Sequence, residues 1–223
     1  MEKYEVKNHL FYDGYNLSEE QLSSYQFIYR LLELINKYVF DNKGKIVMIP
    51  YFNGKVRNDG GISAVILGDG FHFTCHTFCY KNTVFIDFYG EDSKKETISE
   101  IIFDNFKTDD FDMGSKDKKG NFGKHIIINT KAIDYDVAKK KVYQILKEIE
   151  MTPITDIITI KNSEDQFDIL QPIAESHVSL HRKQDNMTVD AFSCKYFDVK
   201  KYLSLMGVKD NYIEVNRGLR YRR

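Results

Sequence analysis

Tryptophan is absent from this 223-residue chain, and cysteine and proline occur three times each. Three cysteines cannot all pair within one chain and nothing suggests secretion, so free thiols in a reducing cytoplasm are expected. An excess of one charge is lacking too: 32 Lys and Arg against 33 Asp and Glu leave a formal net charge of −1. A dedicated nucleic-acid binder usually carries a basic field, and this composition argues against one. No apolar run approaches the roughly 18 residues that span a bilayer. The opening MEKYEVKNHL lacks the apolar core of a signal peptide. What is present can form a core: 42% of residues are apolar and 14% aromatic, which excludes intrinsic disorder. The length suits one sizeable domain or two small fused ones.

The chain is written twice. Lys7-Asn8-His9-Leu10-Phe11 is echoed by Gly123-Lys124-His125-Ile126-Ile127, each followed by a helical stretch and an apolar strand. Phe71-His72-Phe73-Thr74-Cys75-His76 aligns with Ser176-His177-Val178-Ser179-Leu180-His181. Both continue through a polar turn into a further strand, Thr83 to Tyr89 and Thr188 to Cys194. Four matches in one order indicate a duplicated unit. The polar, aperiodic stretch 107–123 reads as the linker between a first repeat, 1–106, and a second, 124–223.

Apolar residues at helix spacing predict a helix over 18–40, through Ile28, Leu31, Leu32, Ile35, Tyr38 and Val39, with Ser18 and Gln21 as a capping box. Ile98, Ile101, Ile102 and Phe106 mark a second helix. Val137, Val142, Ile145, Leu146 and Ile149 repeat the first, and Val199, Tyr202, Leu203 and Met206 repeat the second. Runs rich in Val, Ile, Phe and Tyr between them read as antiparallel strands. Each half is thus strand, helix, three or four strands, helix. Helices on one sheet face leave the other face apolar for a twin to cover, so an α+β fold is expected: a duplicated αββα sandwich forming one domain.

Hairpin register singles out polar residues. Asp69-Gly70 at a two-residue tip, as a type I′ turn requires, sets Ser63 opposite His76. The same register in the second half puts the tip at Ala174-Glu175 and Asp168 opposite His181. Ser176 and His181 are five apart on one strand and face opposite sides. An acid–base partner for Ser176 must come from elsewhere, the other half being the candidate. A turn near Asp185-Asn186 returns Cys194 beside Ser176 and His177. His72, Cys75, His76 and Cys79 resemble a metal cluster, but alternation splits them between two faces, which argues against zinc. Gly60-Gly61 and Gly68-Asp69-Gly70 open no helix and read as turns, and Arg217 to Arg223 as a solvated tail.

Glu175-Ser176-His177-Val178-Ser179-Leu180-His181, with Val189-Asp190-Ala191-Phe192-Ser193-Cys194, resembles the E-S-H-x-x-x-H and V-D-x-F-x-C signature of the S-adenosylmethionine decarboxylase family. Asn8-His9-Leu10 and Lys124-His125-Ile126 resemble the G-R-H-L that opens that family's unit. The resemblance implies an αββα sandwich and a proenzyme that cuts itself between Glu175 and Ser176. Ser176 would become a pyruvoyl group, the only cofactor, capping a new chain of the last 48 residues. Its carbonyl would form a Schiff base with the substrate amine, and Cys194 would return a proton after carbon dioxide leaves. Ser63 and His76 match the family's processing pair. The second half has Asp168 for that serine, and the first has Phe71 for the pyruvoyl serine. Each half has therefore lost what the other supplies.

The pattern departs from the family where substrate binds. Tyr80 stands where the family has the glutamate that holds the ribose hydroxyls. Arg57 falls near the place of the adenine-stacking aromatic, with Tyr51 or Phe52 as replacements in a lengthened 51–61 loop. Family prevalence favours S-adenosylmethionine, for spermidine and other polyamine synthesis. The missing glutamate favours L-ornithine or L-arginine, for which Asp59, Asp69, Asp168 and Glu175 are candidate acidic contacts. A third expectation is a catalytically dead subunit regulating a homologous decarboxylase. Either way the partner is a small amino-acid-type molecule or a protein, and a monomer or a homodimer is compatible.

Overall fold

The computed structural model describes residues 6–52, 60–108, 110–112, 123–174 and 176–218. They fall into two compact units, residues 1–114 and 115–223. The first runs β1 (His9–Gly14), α1 (Glu19–Ser23), α2 (Tyr25–Phe40), β2 (Lys45–Phe52), β3 (Gly60–Gly68), β4 (Phe71–Phe78), β5 (Thr83–Tyr89), α3 (Lys95–Phe106) and β6 (Phe111–Asp112). The second runs β7 (Gly123–Lys131), α4 (Tyr135–Glu148), β8 (Ile158–Lys161), β9 (Gln166–Ile173), β10 (Ser176–Lys183), β11 (Asn186–Ser193), α5 (Val199–Met206) and β12 (Tyr212–Arg217). Each unit holds one six-stranded antiparallel sheet, ordered β2-β3-β4-β5-β1-β6 and β12-β7-β11-β10-β9-β8. The fold is α+β with two antiparallel sheets, and the order of elements in the two units is the same apart from the additional short helix α1 in the first.

Alternation along the strands separates the two faces of each sheet. In the first unit Leu10, Tyr12, Ala64, Ile66, Phe73, Cys75, Ile86 and Phe88 join Ile28, Leu31, Leu32, Ile35, Ile98 and Ile102 of the helices in one core. In the second, Ile126, Ile128, Ile169, Val178, Leu180 and Val189 meet Val142, Ile145, Tyr202 and Met206. Full burial of such a side chain contributes about 1.5–3 kcal/mol. The strand residues turned away from the helices are buried as well, and many are polar: Ser63, His72, His76 and Asp87 in one unit; His125, Asp168, His177, His181 and Asp190 in the other.

Several expectations are corrected. The helix expected over 18–40 is two: Ser24 ends α1, and its hydroxyl caps α2 by accepting from the Phe27 N–H at 3.2 Å. The Ser18–Gln21 capping box is present. Tyr38 lies at the margin of its apolar stripe and Val137 outside its own, and both are exposed. Gly60-Gly61 is no turn but the start of β3, where a Cβ on Gly61 would lie 1.8 Å from the Thr77 carbonyl oxygen. At the β3–β4 tip only Gly70 takes positive φ, at 77°, one residue short of a type I′ turn. The stretch read as linker contains β6, whose Phe111 joins the core. A sixth strand, β12, follows α5 and carries Arg217 at 0% exposure, so this residue belongs to the sheet and not to a solvated tail.

Candidate active site

Strand β10 begins at Ser176, with Ile173 opposite on β9 and Ser193 opposite on β11. Ala174-Glu175 is therefore the connection between β9 and β10. The equivalent connection in the first unit is Asp69-Gly70, between paired Gly68 and Phe71. There the glycine absorbs the positive φ. Ala174-Glu175 contains no glycine, and Ser176 itself carries φ of 152°, a conformation that L side chains rarely adopt. Such a residue stores about 1–3 kcal/mol and persists only where its surroundings hold it. Its Oγ is buried and has no hydrogen-bond partner among the described residues. Glu175 lies outside the described residues. Cys194 follows β11 directly, one residue beyond the Ser193 that pairs with Ser176, and is half-buried.

The first unit fills the same position with Phe71. Its ring stacks on Phe40, with centroids 3.7 Å apart and planes at 7°, and lies over Gly68, where a Cβ would meet it at 1.7 Å. Ser63 and His76 are cross-strand partners, and Ser63 Oγ lies 3.1 Å from His76 Nδ1. Asp168 and His181 occupy the matching places in the second unit, with His181 Nδ1 donating to Asp168 Oδ1 at 2.6 Å. His177, Ser179 and His181 share one face of β10, while Val178 and Leu180 enter the helix-side core. Tyr80 sits on a 3-10 turn over 79–81, half exposed, with Lys81 Nζ 5.1 Å from its ring centroid. Tyr51 and Phe52 end β2, but their side chains, like Arg57 and Asp59, lie outside the described residues.

Strand β4 sends Cys75 into the helix-side core and His72 and His76 to the other face, while Cys79 lies past the strand end. Burial pushes the Cys75 thiol far up. It also raises Cys79, which the carboxylate of Glu19 raises further. The Tyr202 hydroxyl is likewise pushed up, first by burial and then by the charge of Asp190.

One set of residues was not singled out from the sequence. His72 Nε2 lies 2.9 Å from Asp87 Oδ2 in the first unit. In the second, Asp190 Oδ1 accepts from His125 Nε2 and lies 3.5 Å from His177 Nε2. Arg217 Nη1 donates to His125 Nδ1 at 3.0 Å. The repeat of Lys-or-Asn-before-His and the aspartate within Val189-Asp190-Ala191-Phe192 carried the signal for His125 and Asp190. For Arg217 nothing in the local pattern did. The chain matches no protein-family model and none of the curated proteins against which it was compared.

Proposed function

We propose that this protein is a self-processing, pyruvoyl-dependent decarboxylase of amino-acid-type substrates, similar to the S-adenosylmethionine decarboxylase family. The observation that carries the reading is Ser176: a strained serine with a buried hydroxyl that has no hydrogen-bond partner among the described residues, lying in the E-S-H-x-x-x-H run. An unbonded Oγ loses no hydrogen bond when it attacks, and ester formation at the preceding carbonyl releases the backbone strain. Oγ adds to the Glu175 carbonyl carbon, the amide nitrogen leaves with a proton, and an ester replaces the peptide bond. Loss of the Ser176 Cα proton expels the Glu175 carboxylate. Tautomerisation to an imine and addition of water then release ammonia and leave a ketone.

That ketone supplies an electron sink for decarboxylation. Ser63 and His76 are assigned to processing and Cys194 to proton return, each through its match to the family pattern. S-adenosylmethionine is the first substrate. Tyr80 in place of the family's glutamate favours ornithine or arginine as the alternative, because a phenol cannot accept from two ribose hydroxyls at once.

Intact mass under denaturing conditions tests the reading. Wild type should give two chains, residues 1–175 and a 48-residue chain with a pyruvoyl start, while Ser176→Ala stays whole. A wild-type chain that remains whole on incubation would overturn it and favour a non-catalytic partner subunit.

A further inference from the structure

Arg217 is the largest fully buried side chain of the described residues, and it lies on the last strand of the second sheet. A guanidinium carries N–H donors and no acceptor, so the Nδ1 of His125 that faces it must present its lone pair. The proton of this ring then sits on Nε2, which donates to Asp190 Oδ1. Arg217 and Asp190 together therefore fix the tautomer of His125 from the two neighbouring strands. The same Asp190 oxygen lies 3.5 Å from Nε2 of His177. Phe192 sits amid the array: the Arg217 guanidinium is 4.9 Å from its ring centroid, and His125 stacks on it at 5.4 Å. Four strands, β12, β7, β11 and β10, thus contribute to one buried row that ends at the residue after Ser176.

The duplication provides an internal comparison. In the first unit His72 matches His177 and Asp87 matches Asp190, and they pair directly at 2.9 Å. His9, the counterpart of His125, instead packs on Tyr89 at 4.9 Å, and its Nδ1 lies 3.3 Å from the Lys7 carbonyl oxygen. The strand matching β12 is described over Phe111 and Asp112, and the sequence around it, 107–123, holds no arginine. The arginine row occurs in the copy that has a serine with φ of 152°, and not in the copy that has Phe71.

We propose that Arg217, His125 and Asp190 form a positioning row that anchors His177 and so keeps the Ser176 backbone in its strained, cleavage-ready conformation. This rests on the self-processing reading above. An unanchored His177 would let the 176–177 peptide rotate and relax the serine, which moves Oγ away from the carbonyl it attacks. Misplacement by an ångström at a reacting centre can cost about a hundredfold in rate.

The test compares Arg217→Gln and Asp190→Asn with Asn36→Ala in the full chain, following cleavage by mass and folding by thermal midpoint. The first two should slow cleavage at least roughly tenfold, while N36A, which removes the buried hydrogen bonds between Asn36 and Gly44 in the first unit, lowers the midpoint and cleaves at nearly the wild-type rate. Slowing that simply tracks the midpoint across all three variants would overturn the proposal. Imidazole nitrogen NMR on the uncleaved Ser176→Ala protein gives a second readout that needs no cleavage. His125 should show the Nε2–H tautomer there, with its Nδ1 resonance moved in the R217Q background as the guanidinium donor is lost; an Nδ1–H ring in the parent would overturn the proposal. A wild type that never cuts removes the function and this inference together. A wild type that cuts, with R217Q and D190N cutting equally fast, removes this inference alone.

Discussion

At the scale of the residue, environment separates side chains of the same chemical type. None of the three cysteines forms a disulfide, yet Cys75 lies in the helix-side core, Cys79 at a strand end and Cys194 just past β11. Thiol chemistry runs through the thiolate, and burial moves the Cys75 pKa upward, which leaves almost no thiolate at pH 8. Iodoacetamide applied to the native protein at pH 8 should therefore modify Cys79 and Cys194 while leaving Cys75 untouched until denaturant is added. Labelling of Cys75 at the rate of the others, read by peptide mapping, would mean the core opens readily. The serines divide in the same way. Ser63 has an imidazole 3.1 Å away, Ser193 donates to the Lys195 carbonyl at 2.9 Å, and Ser176 has no hydrogen-bond partner among the described residues.

At the scale of the element, the hairpins decide where strain falls. Two antiparallel strands joined by two residues need positive φ somewhere in the connection, and glycine accepts it at least cost. The β3–β4 hairpin places Gly70 there. In the β9–β10 hairpin the matching position is Glu175, outside the described residues, and Ser176 after it carries a positive φ. Glu175→Gly should let the connection take up the torsion and relax the serine. The variant is expected to gain up to about 1–3 kcal/mol of stability and to cleave more slowly than wild type. Urea unfolding of the Ser176→Ala forms with and without E175G measures the first effect, and the time course of chain separation measures the second. Faster cleavage in E175G would refute the role of strain.

At the scale of the whole molecule, the two units are one design used differently. Phe71 and Ser176 hold the same register position, one stacked on Phe40 and the other strained and without a hydrogen-bond partner among the described residues. Phe71→Ser puts a hydroxyl at that position in the first unit, but Gly70 has already absorbed the torsion there. No second cut is expected between residues 70 and 71. The lost ring should lower stability by about 2–4 kcal/mol, visible as a lower thermal midpoint. A third chain in the mass spectrum would show that a serine at this register suffices without strain.

The repeat, its order of strand, helix, strands and helix, and both cross-strand pairs were legible in the sequence, while the last strand of each unit was not. Hairpin register follows from a short connection and strict two-residue alternation, so Ser63–His76 and Asp168–His181 could be paired by counting. The position of Ser176 at a strand start could be counted too. Its torsion could not, because φ depends on how both flanking strands are held. The break at Ser24 was hidden because the apolar stripe continues across it, and β12 because six residues of mixed polarity look like a tail until a sheet edge accepts them. Local pattern thus determined which residues lie opposite one another within a hairpin. Only the tertiary structure decided that Arg217 and His125, 92 positions apart, share one buried face. Local periodicity carries no information about which distant edge a strand will join, and that edge is what brought the two together.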